Sequence, residues 1–291
     1  MLQDIAPSKL DMEFRNWDIK ENDKVFIFQD DQVVFPHNAS DGLPLFTHPD
    51  LNKLFPHQRI QPIYLFSLDH QNYFLLTDAK PSLLETLHQL PVQIFRTMKP
   101  GAIAFAGITA YHLYKWYSNH RYCGHCGAIM QHSSTERAMS CPHCKRVVYP
   151  RISPAIIVGI INHDRLLMLR SAYGSYRKFA LLAGFCEVGE TLEETVEREV
   201  MEEVGLRVTN IRYYKTQPWG FSESLLVGFF ADLDGEDQMT IDPKEVAEAQ
   251  WFEREEIPPV ELNISLTSEM IEAFRGGSIK SKTVESACHI S

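Results

Sequence analysis

The 291-residue chain has no apolar run long enough to cross a bilayer, although 44% of its residues are apolar. Residues 1–7 have no signal-peptide pattern either, so the expectation is a cytoplasmic protein without a membrane partner. Basic charge is scarce: 28 Lys and Arg face 38 Asp and Glu, a formal net charge of -10. That balance excludes broad electrostatic attraction to nucleic acid, while leaving room for a specific nucleotide end. Internal repeats and low-complexity segments are absent. Cysteine is limited to six residues, four of them in one paired set, with Cys186 and Cys288 lacking obvious mates. A reducing compartment fits this usage better than a disulfide framework. The length suits two or three modest domains with a sizeable core.

The rest of the chain is organised around residues 184–206, GFCEVGETLEETVEREVMEEVGL. Thr191 followed three residues later by Glu194 is a capping box that starts a helix. Gly205 supplies the left-handed residue that ends it. Leu192, Val196, Val200 and Val204 recur every fourth position and form one buried stripe. Glu199, Glu202 and Glu203 fall on an adjoining stripe. One reading of that stripe is a solvated acidic face, which Glu193, Glu194 and Glu197 resemble. The other is a site for a hard divalent cation, since three crowded carboxylates repel one another unless a cation sits among them.

A second constellation is Cys123-Gly-His-Cys126 and Cys141-Pro-His-Cys144, with fourteen residues between the pairs. Each C-x2-C turn can put two sulfurs on one side, and two such turns complete a tetrahedron around structural zinc. Four thiolates leave no open coordination position, and a disulfide pairing is disfavoured in a cytosolic chain. His125 and His143 read as spectators, with Gly127 and Pro142 as turn formers. Upstream, residues 24–29, 32–36, 63–68 and 72–77 read as strands and 82–90 and 102–119 as helices. The aromatics of the second helix (Phe105, Tyr111, Tyr114, Trp116, Tyr117) are expected in a core. Downstream, residues 155–161, 165–170, 207–215, 224–232 and 249–252 read as strands, and 266–274 as a closing helix. Residues 179–184 lead into the glutamate-rich helix. The last dozen residues look polar and tail-like.

The spacing Gly184, Glu190, Arg198-Glu199, Glu202-Glu203, Gly205, with aliphatic Val200 and Leu206, resembles the signature of the Nudix hydrolases at every position. Thr216-Gln217-Pro218-Trp219-Gly220-Phe221-Ser222-Glu223-Ser224 is similar to the SQPWPFPxS array of the NADH pyrophosphatases within that superfamily. The order of parts agrees as well: an N-terminal domain, a four-cysteine ribbon, Tyr149-Pro150-Arg151, the glutamate box, then the array. Thr216, Gly220 and Ser222 depart from the array, and losing two prolines predicts a looser loop.

The resemblance implies an α/β (α+β) protein: a Nudix α/β/α sandwich after an N-terminal mixed β-rich domain, with the zinc ribbon between them. The expected division is 1–119, 120–150 (ribbon), 151–280 (Nudix) and a tail at 281–291. It implies magnesium or manganese held by Glu199, Glu202, Glu203, Glu245 and the Ala183 carbonyl, with Arg198 orienting the glutamates and Glu190 supporting the loop. Glu202 is the third ligand or the base. Substrate contacts are implied for Phe185, for Tyr149 from the second subunit of a homodimer, for Glu136, and for Gln217, Pro218, Trp219, Gly220, Phe221, Ser222, Glu223 and Ser224. The implied reaction is hydrolysis of the pyrophosphate of NADH or NAD+ to nicotinamide mononucleotide and AMP, or removal of an NAD cap from RNA. The alternatives are a Nudix enzyme for ADP-ribose, FAD or dinucleoside polyphosphates, and a non-catalytic nucleotide sensor.

Overall fold

The computed structural model describes residues 1–36, 45–56, 60–77, 87–173 and 178–281. It divides into an N-terminal unit (residues 2–151 with 220–223) and a C-terminal unit (Met1, 152–219 and 224–291).

The C-terminal unit is built on strands with two buried faces. Strand β11 (Ser153–Asn162) runs parallel to β15 (Ser224–Leu233) and antiparallel to β12 (Arg165–Ser171) and β13 (Leu182–Phe185). The sheet is completed by β14 (Val208–Trp219) outside β15 and β16 (Val246–Glu253) outside β12. Because successive strand residues point to opposite faces, each strand feeds two cores. Ile156, Val158 and Ile160 of β11 join Leu167, Leu169, Val227 and Phe229 beneath helix α3 (Leu192–Val204). Ile157 and Ile161 join Leu166, Met168 and Phe230 beneath helix α4 (Leu266–Arg275). The result is the expected α/β/α sandwich.

Helix α3 starts and stops where its sequence dictates. The Thr191 hydroxyl accepts from Glu194 N at 3.2 Å while Thr191 N donates to the Glu194 carboxylate at 2.7 Å. Gly205 closes it at φ 67° with its N–H on Met201 O. Val196, Val200 and Val204 are fully buried, each contributing roughly 1.5–3 kcal/mol.

In the N-terminal unit, β1 (Leu10–Asp11), β5 (Ile63–Leu68), β6 (Gln71–Leu76), β2 (Lys24–Gln29), β3 (Gln32–Phe35) and β7 (His88–Pro91) lie in that order, with β4 (Phe46–Thr47) also on β2. One face of this sheet packs around Val25, Ile27, Val34 and Phe74 with Leu51 of helix α1 (His48–Leu54). Helix α2 (Gly101–Asn119) buries Tyr111, Trp116 and Tyr117, the core role expected of its aromatics. Strands β8 (Gln131–His132), β9 (Met139–Ser140) and β10 (Val147–Val148) form a separate three-stranded ribbon.

Two sequence expectations are corrected. Residues 88–91 form a strand pairing β3, not the end of a helix, because Gln32–Phe35 offers a free edge that local propensity does not reveal. Residues 82–86 and 282–291 lie outside the described residues. The second correction is that Thr216–Trp219 belong to β14 and pair with Val227 to Ser224, not to a loop. Pro218 is tolerated there because β14 is the outermost strand.

Candidate active site

Arg198, at the middle of α3, is the hub of the glutamate box. Its Nε donates to Glu190 Oε1 at 2.6 Å and one terminal nitrogen to Glu190 Oε2 and the Phe185 carbonyl, both at 3.0 Å. The other terminal nitrogen reaches Glu199 Oε1 at 2.8 Å and Glu202 Oε2 at 2.9 Å. The planar guanidinium fork makes this possible; a lysine ammonium could not hold so many directions at once. Its hydrogen bond to Arg198, with the Glu187 N–H and the Thr195 hydroxyl, pulls the Glu190 carboxyl down to about 2. The same bonds, Glu190 first, push the Arg198 guanidinium up. Arg198 therefore ties Glu190, Glu199 and Glu202 together, and Glu190 anchors the loop between β13 and α3. Thr195 went unremarked in the sequence. It is fully buried and braces both Glu190 and the first turn of the helix.

Gly184 explains why the box opens on glycine. A Cβ there would stand 2.0 Å from the carboxyl carbon of Glu199, so only a bare backbone lets strand β13 and that carboxylate lie together. Ala183 is the preceding residue on β13, next to that contact.

Glu203 differs from its neighbours. It is 6% exposed, and among the described residues no hydrogen-bond donor meets its carboxylate. Burial first, then the charges of Glu199, Glu245 and Glu202, push its carboxyl up to about 8. Burial likewise raises Glu199, against the pull of Arg198. Glu245 thus lies close enough to act on both Glu199 and Glu203, although it is exposed and some forty residues downstream. Its segment is tied to the end of α3 by Asp242 N on Glu203 O at 3.0 Å. Glu199 and Glu203 are buried and Glu202 and Glu245 exposed, and among the described residues their oxygens are not gathered as tightly as the sulfurs described below; a hard divalent cation, which takes oxygen ligands, would offset their repulsion.

The cysteines are the tightest potential ligand set. Among the described residues, only their four ligand atoms gather as a group of three or more within 4.8 Å of one another. Sγ of Cys123 and Cys144 are 3.5 Å apart, as are those of Cys126 and Cys141. The two knuckles repeat one backbone pattern: Gly127 N on Cys123 O at 2.9 Å and Lys145 N on Cys141 O at 3.0 Å. Both turns need a positive φ, 74° at Gly127 and 64° at Lys145. Backbone N–H groups of His125 and Cys126 pull the Cys123 thiol down to about 6. At Cys126 the Ala128 N–H also pulls down, but burial and the three neighbouring sulfurs outweigh it and raise the thiol to about 12. Four thiolates cannot share this space without a cation, and zinc fits the donor set.

The remaining expected contacts are distributed between the units. In the C-terminal unit, Phe185 is 55% exposed. Gln217 is fully buried, and its amide donates to Ile264 O at 2.9 Å and accepts from Leu266 N at 2.6 Å. Its side chain therefore joins β14 to the start of α4 and is not presented to a ligand. Pro218 is exposed, Trp219 half-buried and Ser224 buried, the last two forming a register pair. In the N-terminal unit, the Tyr149 hydroxyl donates to Glu136 Oε1 at 3.2 Å, and Tyr149 is 56% exposed. The Arg96 guanidinium sits 4.5 Å over the Phe221 ring. Ser222 is exposed and Glu223 adopts φ 55°. A Cβ on Gly220 would meet Ile108 O at 2.5 Å. The glycine that stands where the family has a proline thus lies too close to helix α2 for a side chain.

Residues 150–274, which include the glutamate box described above, match the NUDIX domain family. Residues 118–149 match the NADH pyrophosphatase zinc ribbon domain. The chain therefore carries a Nudix domain behind a zinc ribbon of the NADH pyrophosphatase type. It is similar to the NAD-capped RNA hydrolase NudC of Shigella dysenteriae serotype 1, 45% identical over 160 residues, 55% of this chain and 62% of that protein. To the NAD-capped RNA hydrolase NudC of Shigella flexneri it is 48% identical over 146 residues, 50% of this chain and 56% of that protein. The chain thus spans about three-fifths of the length of these relatives. A NUDIX hydrolase structure from Nitrosomonas europaea is 24% identical, at TM-score 0.47, over 53% of this chain and 90% of that one.

Proposed function

We propose that the chain is a magnesium- or manganese-dependent hydrolase that cuts the pyrophosphate of NADH or NAD+, releasing nicotinamide mononucleotide and AMP. By the same chemistry it removes an NAD cap from the 5′ end of RNA. The observation that carries this reading is the buried Glu203 carboxylate, crowded by Glu199, Glu202 and Glu245 and lacking a hydrogen-bond donor among the described residues. The ribbon type and the relatives named for NAD-cap hydrolysis support the choice of substrate.

Glu199, Glu202, Glu203 and Glu245, with the Ala183 carbonyl, would hold the cations. When bound, such cations neutralise charge on the pyrophosphate oxygens and acidify the attacking water. Arg198 fixes Glu199 and Glu202 before substrate arrives, which is preorganisation of the kind that lowers a barrier. The exposed ring of Phe185 offers a stacking face for nicotinamide, and in a homodimer the exposed Tyr149 offers a second. Glu136 fixes the Tyr149 hydroxyl. The closed four-thiolate site is structural and takes no part in the reaction. A cytoplasmic location suits such thiols and such substrates.

The test is hydrolysis of NADH, NAD+, NAD-capped RNA, ADP-ribose and FAD with magnesium or manganese. NADH, NAD+ or the capped RNA turns over fastest, and a chelator abolishes the reaction. Glu199→Gln lowers the rate by about 10² or more and leaves the fold intact. Turnover that persists in chelator refutes the cation requirement. Ligand binding without turnover of any dinucleotide makes the protein a sensor.

A further inference from the structure

The N-terminal unit contains a cavity of about 470 Å³, within the size range of small-molecule sites. Of its walls only Glu136 is among the substrate contacts considered above; the rest come from the N-terminal strands and loops, helices α1 and α2 and the ribbon, none of them assigned a ligand. Phe14, Trp17, Tyr64, Tyr117 and His132 give the cavity an aromatic lining. The Trp17 indole is 48% exposed, meets the Tyr64 ring edge at a centroid distance of 5.4 Å, and carries the Arg15 guanidinium 4.7 Å over its ring. Tyr117 and His132 add two rings 5.2 Å apart.

Tyr64 is 3% exposed, and among the described residues its hydroxyl makes no well-formed hydrogen bond, although the Arg15 guanidinium lies near enough to act on it. A buried hydroxyl without a well-formed hydrogen bond costs free energy that a ligand atom can recover. Charge narrows the ligand further. Arg15 is already paired with Asp11 at 2.9 Å and Glu13 at 2.7 Å, while Asp18 and Glu136 bring two carboxylates to the lining. Such a wall offers acceptors to N–H groups. It suits a flat heterocycle whose exocyclic N–H groups can meet carboxylates while its ring stacks on Trp17.

We propose that this cavity binds a nucleobase, at a site separate from the glutamate box. The base belongs either to an RNA strand or to a free nucleoside, and one titration separates these sources. Adenosine, which has no phosphate, is titrated calorimetrically into the full zinc-loaded chain and two variants. Trp17→Leu is expected to weaken one binding event about tenfold or more. Tyr64→Phe keeps the ring and the fold, and is expected to weaken it about fivefold. NADH hydrolysis stays unchanged in both. An uncapped oligoadenylate that binds more tightly than adenosine assigns the pocket to RNA; one that binds no better assigns it to free nucleosides. Identical isotherms for the parent and both variants would overturn the proposal, as would no binding of adenosine at all. Failure of NADH hydrolysis in the parent would refute the proposed reaction and leave the pocket untouched.

Discussion

Replacing Glu203 by glutamine isolates the electrostatic cost of the glutamate array. The side chain keeps its shape but loses the charge that burial and three carboxylates oppose. A carboxyl raised from 4.5 to about 8 holds its proton in the native state at pH values where the unfolded chain has released it. Stability conferred by that protonated form is complete below about pH 4.5, declines as pH rises, and is lost above about pH 8. The full shift corresponds to a ceiling of roughly 5 kcal/mol, and sharing of charge among coupled glutamates brings the expected effect nearer roughly 2–3 kcal/mol. For a unit of this size that is a melting shift of about 5–10 °C. The assay is thermal unfolding between pH 5 and 9 in buffers freed of divalent cations by resin, with ribbon zinc checked by metal analysis. Glu203→Gln should melt above the parent at pH 8.5 and level with it at pH 5. Added manganese should then raise the parent and leave the variant nearly unmoved. A variant that melts at or below the parent at pH 8.5 would refute the reasoning.

Three further outcomes follow from the geometry. Gly184→Ala forces its methyl into the Glu199 carboxylate, so the rate should fall about tenfold or more while zinc content stays normal; an unchanged rate dismisses the contact. Gln217→Ala strands Leu266 N and Ile264 O and should cost about 1–3 kcal/mol by denaturant titration, with KM for dinucleotide little altered. A pure KM effect would instead make Gln217 a substrate contact. Cys141→Ser should release zinc and lower the melting temperature, because metal binding and folding of the ribbon are coupled; retained zinc and stability would defeat the four-thiolate reading.

What was legible in the sequence was whatever is encoded by spacing along the chain. The fourfold recurrence of Val196, Val200 and Val204 gave the buried face of α3, and the knuckle spacing gave the sulfur cluster. The partners of Arg198 were also visible, since they lie within one helix turn and the preceding loop. What stayed hidden depends on partners distant in sequence. Nothing near residue 88 announces an edge strand, because the pairing residues are Gln32 to Phe35. Gln217 reads as a polar residue in a recognition array, and only the backbone of Ile264 and Leu266 makes it a structural tie. Likewise Gly184 was a signature position whose physical reason, the carboxylate of Glu199, appears only once β13 and α3 are packed.

The guanidinium of Arg198 grips the carboxylates of Glu199 and Glu202 and also the carbonyl of Phe185, whose exposed ring is the stacking face proposed above. One side chain therefore transmits any disturbance of the acidic cluster to the aromatic platform and back again. Tuning the selectivity of such an enzyme by substitutions in this loop will drag its turnover along with it, so new specificity is more readily gained at residues that Arg198 does not touch.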